Sequence, residues 1–167
     1  SYVDLIVKAA KSQSARDLVP DFVALMEQES KFNNGAKSWT NVKGLVQMTQ
    51  GLASDLGLSR EDITTPEKVI PAGFKHFKRL LGTFKSKEWT HIGWNAGWGV
   101  AEKLKRYGID PGNWETTKGK LEQALRAFPK TYGPDKIPVK KKLKEVVKHV
   151  ETIIRRTEEI KKAKAKE

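Results

Sequence analysis

The sequence predicts an all-α chain, and three observations carry that prediction. Apolar residues recur at helical spacing in separate stretches, as Phe22, Leu25 and Met26 and again as Leu143, Val146, Val147, Val150 and Ile154. Helix start and stop signals bracket such stretches, among them Pro20, the Thr65-Pro66-Glu67 run and Gly57. No segment alternates as a half-buried strand does, and only the 40s leave room for a small hairpin.

In chain order, residues 2–12 read as a short helix carrying Val3, Ile6 and Ala10. Pro20 suits the first turn of a second helix, with Asp17 and Asp21 near its positive end, and that helix is expected to run to about Phe32. Residues 33–44 then read as an irregular loop, in which Asn33, Asn34, Gly35 and Asn41 tolerate positive φ. A third helix spans Thr49 to Leu56 and ends at Gly57. A fourth starts behind the Thr65 cap and reaches about Phe84. The next covers Lys87–Tyr107, interrupted by the glycines of GWNAGWG, and a shorter one lies near Leu121–Phe128 among Pro111, Gly112, Pro129, Gly133, Pro134 and Pro138. The last is expected from Val139 to about Lys161. On this reading residues 1–138 form one catalytic-sized domain, and the basic helix of residues 139–167 packs on it.

A chain of 167 residues is long enough to bury a core, and 38% hydrophobic with 31% charged residues describes a globular protein with a charged surface. No apolar run reaches the ~18–20 residues a bilayer requires. The start SYVDLIVKAAK has apolar residues at helical spacing rather than a charged start before an apolar core, so it does not read as a signal peptide. Cysteine is absent, which removes disulfides and thiol chemistry. The net charge of +12 is uneven, since residues 136–167 hold 12 Lys and Arg against 5 Glu. Lys140, Lys141, Lys142, Lys144 and Lys148 cluster at the start of the last helix. Such a surplus favours an anionic partner: nucleic acid, an acidic membrane face, or a cell-wall polymer. A solvated face is the plainer account of any single lysine.

Chemistry concentrates at ALMEQESKF. Phe22, Leu25, Met26 and Glu29 stand at i, i+3, i+4 and i+7, so Glu29 falls where the next core residue belongs, whereas Glu27 falls off the stripe and can stay in water. A carboxylate in that place is costly unless paired or protonated. Two readings are open: a structural ion pair with Lys or Arg, or a general acid whose proton is retained by desolvation. The three histidines, His76, His91 and His149, show no metal-ligand spacing, and His76 falls on the exposed side of a lysine-rich helix. No glycine loop follows a strand to cradle phosphate, and no cofactor is implied.

Beyond Glu29 come Ser30, Phe32, Ala36, Ser38, Gly44, Leu45 and Gln47, all in one ungapped register, and much later Asn95, Ala96 and Gly97. Here the sequence strongly resembles the lytic transglycosylases of the soluble, lysozyme-like family, with their E-S-x-F-x-x-x-A-x-S-x-x-G-A-x-G-L-M-Q and A-Y-N-A-G patterns. TTPEKVIPAGFKHFKRLL is similar to the family's segment between the two. The resemblance covers roughly residues 15–105. Asn41 replaces a glycine of the pattern, Val46 a methionine, and Trp94 a tyrosine, while Trp98 stands where proline is frequent. The family's closing P-x-E-T-R-x-Y-V is similar to KEVVKHV through Glu145, His149 and Val150, and IPVKKKLK offers a rival alignment.

The resemblance implies a lysozyme-like helical fold of the goose-type and SLT kind, with a long basic C-terminal helix. It implies cleavage of the β-1,4 bond between N-acetylmuramic acid and N-acetylglucosamine in peptidoglycan, with Glu29 as catalytic acid and base. Ser38 and Gln47 would hydrogen-bond acetamido groups and Glu29, Asn95 would orient substrate or loop backbone, and Met48 and His149 join the substrate-binding set. Trp39, Trp94 and Trp98 are candidates for stacking on sugar rings, whereas Trp89 and Trp114 read as core. For Ser38 and Asn95 a hydrogen bond within the protein is the alternative. MTQGLAS after Gln47 supplies no acid before Asp55, so no second carboxylate of the usual glycosidase pair is apparent. That absence fits a non-hydrolytic reaction yielding a 1,6-anhydromuramic end.

Rival readings are a goose-type lysozyme hydrolysing the same bond, or a non-enzymatic basic helical DNA-binding protein. The DNA reading leaves the Glu29 pattern without a role, so no nucleic-acid partner is expected. A monomer acting on peptidoglycan in the periplasm or cell wall is expected, its basic helix docking on anionic wall or membrane. A bacteriophage setting, as endolysin or virion component, is favoured over a secreted bacterial enzyme.

Overall fold

The computed structural model describes residues 1–166, and among them it contains helices and no strand. The helices are α1 (Tyr2–Ser12), α2 (Val19–Ser30), α3 (Gln50–Asp55), α4 (Pro66–Phe84), α5 (Lys87–Ala96), α6 (Trp98–Arg106), α7 (Trp114–Arg126) and α8 (Val139–Ala165), with 3-10 turns at Arg16–Leu18 and Glu61–Thr64. The all-α expectation holds. The hairpin foreseen in the 40s is reduced to one antiparallel bridge, Lys37 to Lys43. None of the described helices is long and apolar enough to cross a membrane.

Two compact units divide the chain. One is Ser1–His76 together with the stretch from Arg155 onward, and the other is Phe77–Ile154. In the first unit Ser1 caps α1 by accepting from Asp4 N, while Asp4 accepts from Ser1 in return. Phe22, Leu25, Met26, Ile70 and Phe74 are fully buried, and Phe22 meets Phe74 edge-on at 5.4 Å. In the second unit Leu80, Phe84, Trp89, Ile92, Leu104, Leu121, Leu125, Val146 and Val150 belong to one buried cluster.

Several elements depart from expectation. On α1 Ile6 and Ala10 are buried as expected, with Ala9 beside them, but Val3 is 41% exposed. α2 stops at Ser30 because Lys31 and Phe32 turn left-handed, at φ 52 and 60. α7 begins at Trp114, where the Asn113 side chain caps Thr116 N at 3.0 Å. α8 runs four residues beyond Lys161. His76, read as solvent-facing, is 7% exposed: its place on α4 follows the apolar face of Phe74 and Phe77 rather than the lysine face. Lys142, grouped with the exposed lysines, is likewise buried at 8%.

Candidate active site

In the first unit, Glu29 lies on the last turn of α2, three residues beyond the buried Met26. The residue is half-buried, with its Oε1 shut off from solvent. Glu27, off the buried stripe, keeps 37% of its side chain exposed and pairs with Arg156 at 2.8 Å. That bond to Glu27, then the one to Glu159, raises the Arg156 pKa. Both partners are partly exposed, so the pair adds at most ~1 kcal/mol.

The chain then leaves α2 abruptly. Ser30 Oγ donates back to Met26 O at 3.1 Å, and Lys31 N closes on Glu27 O at 2.9 Å. Two successive left-handed residues without glycine cost roughly 1–2 kcal/mol each. A fully buried Phe or Leu is worth roughly 1.5–3 kcal/mol, so the core of α2 can hold this turn in place.

Past the turn the chain forms a small hairpin that fastens itself. Ser38 N donates to Val42 O at 2.8 Å, Val42 N donates to Ser38 Oγ at 3.0 Å, and Asn41 N reaches Ser38 O at 3.0 Å. Asn41 takes φ 67, the left-handed geometry for which asparagine best replaces glycine. At the base Gly44 N donates to Ala36 O at 3.0 Å. Gly44 has φ 98, and a Cβ there would stand 2.7 Å from Ile63 O, so only glycine fits. Gln47, itself at φ 50, folds its amide back onto Gly44 O at 2.9 Å and Ala36 O at 3.4 Å. Leu45, Val46 and Met48 anchor the hairpin in the core.

The predicted residues therefore divide by environment. Ser38 and Gln47 are each half-buried and each bonded within the loop, Ser38 to Val42 and Gln47 to Ala36 and Gly44. Trp39, at the hairpin tip, is 54% exposed. Met48, at 2%, offers a ligand no face in this structure; it packs as core with Leu45 and Val46.

The second unit carries the rest. α5 ends at Ala96, and Gly97 turns the chain at φ 106 into α6, the break expected from GWNAGWG. Trp94 and Asn95 are half-buried at that end. Trp98 meets Phe84 at 5.0 Å with the rings tilted by 60°, and lines an open recess of about 560 Å³ with Glu102, Lys105 and Arg106. Trp89 is core, and its indole N–H donates to Thr117 at 3.0 Å; Trp114, half-buried, donates to Glu151 at 2.9 Å.

His149 is 4% exposed and so, like Met48, presents no open face. Its ring meets His91 at 6.2 Å, and His91 meets Phe77 at 5.5 Å. Burial, and then the Lys142 charge, holds the His149 pKa down at about 3, with Glu145 opposing. Burial, then His149 and Lys87, holds His91 well below the usual imidazole range.

Two residues at the α5 end escaped sequence reasoning. Lys142 Nζ donates to Asn95 O at 3.0 Å and pairs with Glu145, while Tyr132 Oη donates to Ala96 O at 2.7 Å. For Lys142 a signal existed, because positions 142, 146, 149, 150, 153 and 157 make one helical stripe. Tyr132 carried none.

Among known proteins, residues 6–116 match the family described as the transglycosylase SLT domain. A membrane-bound lytic murein transglycosylase F of Vibrio cholerae is 34% identical over 111 residues, which is 60% of this chain and 21% of that protein. The enzyme of the same name from Alcanivorax borkumensis is 33% identical over 109 residues, 59% of this chain and 23% of that protein. In Pseudoalteromonas translucida the figures are 29% over 114 residues, 62% and 24%. The chain thus spans less than a quarter of the length of these relatives.

Proposed function

The chain belongs to the transglycosylase SLT family, and from that premise we propose that it cleaves the β-1,4 bond between N-acetylmuramic acid and N-acetylglucosamine in peptidoglycan without water. The observation that carries the reading is Glu29. It stands half-buried with Oε1 shut off from solvent, where α2 breaks into the self-fastened hairpin of Ser38, Gly44 and Gln47.

In the proposed reaction Glu29 gives its proton to the glycosidic oxygen as the C1–O bond breaks, and the 2-acetamido group of the muramic residue stabilises the charge at C1. Glu29, now a carboxylate, takes the proton of the 6-hydroxyl as that oxygen bonds to C1. The 1,6-anhydro ring closes, Glu29 ends protonated as it began, and no water is consumed. One carboxylate suffices, in contrast with the usual pair.

Ser38 and Gln47 are proposed to serve acetamido groups from the self-bonded loop, and Trp39 to stack on a sugar. Asn95, Trp94 and Trp98 are proposed as further substrate contacts. We assign catalysis to residues 1–138 and wall docking to the basic helix of residues 139–167, through Lys140, Lys144 and Lys148, which are exposed. Action on the wall in the periplasm or cell wall, delivered by a bacteriophage, belongs to the same proposal and is supported by the lysine surplus.

Mass spectrometry of digested sacculi tests the chemistry. The expected product ends in 1,6-anhydromuramic acid, lighter by one water than a hydrolytic product. Reducing muramic ends alone would assign the chain to the goose-type hydrolases, with Glu29 still the acid.

A further inference from the structure

A helix end leaves its last carbonyls without intrahelical donors. At the end of α5 two of these are met by side chains from later in the second unit: Lys142 at Asn95 O and Tyr132 at Ala96 O. The two bonds hold the peptide planes on either side of Ala96, directly before the turn at Gly97.

Both donors are out of water, with Lys142 at 8% and Tyr132 at 6% exposure. Lysine is almost never so buried unless paired, and a methionine of similar length would pack there without the desolvation penalty. Glu145 balances the charge, and a cation suits the negative end of a helix. Burial, then the Glu145 carboxylate, pushes the Tyr132 hydroxyl up to about 12, so it remains a donor at neutral pH. Asn95 Oδ1 is itself buried and accepts no hydrogen bond from the described residues. Such an acceptor suits an N–H of a ligand, and its aim depends on the main chain that carries it.

We propose that Lys142, assisted by Tyr132, is a positioning residue for the wall-cleaving reaction, clamping the main chain at Asn95 and Ala96 so that the Asn95 amide meets substrate in one orientation. The inference rests on the wall-cleaving reading, with Asn95 as a substrate contact. Lys142 acts through Asn95 and touches no substrate.

The test is a double-mutant cycle on the full chain with a soluble alternating N-acetylglucosamine–N-acetylmuramic acid oligomer. Lys142→Met should lower kcat/KM about tenfold through misplacement of Asn95, and Lys142→Arg should recover most of it. In an Asn95→Ala background the same Lys142→Met change should cost less than about twofold, because coupled residues are non-additive. Equal losses in both backgrounds overturn the proposal, leaving a lysine that only stabilises the fold. A second readout needs no turnover. The ¹H–¹⁵N signals of the Asn95 side-chain amide should be one sharp pair in the parent and in Lys142→Arg, and broadened or split in Lys142→Met. If Lys142→Met does not fold, Tyr132→Phe serves in both experiments with a smaller effect in the same direction. An undisturbed Asn95 signal in the variant overturns the clamp. A parent that leaves the oligomer intact, while the Asn95 signals broaden or split in the variant, supports the clamp and rejects the wall-cleaving reading.

Discussion

Glu29 and Gly44 stand on either side of the hairpin, and each is held by a constraint that a single atom can test. Replacing Glu29 by glutamine keeps the shape and removes the proton. General acid–base catalysis contributes about 10²–10⁴-fold, so Glu29→Gln should lower glycan cleavage at least a hundredfold on that scale while far-UV circular dichroism stays unchanged. Activity near that of the parent would remove Glu29 from the chemistry. Gly44→Ala probes the loop instead. Its Cβ would fall 2.7 Å from Ile63 O at φ 98, so a fall in stability of more than about 1 kcal/mol is expected in urea titration. Asn41 was legible in the sequence because asparagine tolerates left-handed backbone, and Gly44 only through its place in the family pattern. Gln47 at φ 50 was not, since glutamine carries no such signature and only its bonds to Ala36 and Gly44 explain the geometry. Lys142 was hidden by its neighbours: within a run of lysines, the one that turns inward looks like the rest.

At the level of elements, the helices that carry strong signals matched and those with polar faces did not. The α5–α6 break followed from Gly97, whose φ of 106 few other residues adopt. The start of α7 carries no apolar signal because the residue it buries, Thr117, is polar and hydrogen-bonds Trp89. On α8 the expected stripe holds at Val146 and Val150, which are fully buried, whereas Leu143, Val147 and Ile154 are only half-buried, because the buried face is rotated toward Lys142, His149 and Ile153. That rotation sets His149 of α8 against His91 of α5. Facing them are Lys87 at His91 and Lys142 with Glu145 at His149. Both folded imidazoles have pKa values below the ordinary 6.5, His149 at about 3. Below that ordinary value the unfolded chain binds more protons than the folded one, so stability falls as pH drops from 6.5 toward 3 and is level above 6.5. Thermal melts at about pH 7.5 and about pH 5 should therefore show a lower Tm at the acid end. NMR titration should show the His91 and His149 rings still neutral there. A flat Tm across the interval, or a ring that protonates near 6.5, would refute this account.

For the whole molecule the question is what the charge of +12 is for. Residues 77–154 hold 17 Lys and Arg against 8 Asp and Glu, so most of the surplus lies in the second unit. Its visible form is the face of α8 carrying Lys140, Lys144 and Lys148, exposed and spaced by four. The burial of Lys142 takes it out of that face. Lysines near the start of a helix oppose its dipole, so they carry a small cost in stability that a partner's negative charge would offset. If the face steers the chain to an anionic polymer, its effect must weaken as screening shortens to ~8 Å at physiological ionic strength. Replacing Lys140, Lys144 and Lys148 by glutamine should then lower binding to sacculi at low salt, with parent and variant converging near ~0.3 M, where the screening length is shorter still. Turnover of a short soluble glycan should stay the same, because no proposed acid, base or acetamido contact has been altered. A slight gain in Tm for the variant would agree with relief of the dipole conflict. Parallel salt curves for the two proteins would instead leave the three lysines as a solvated face, with the surplus charge unconnected to the wall.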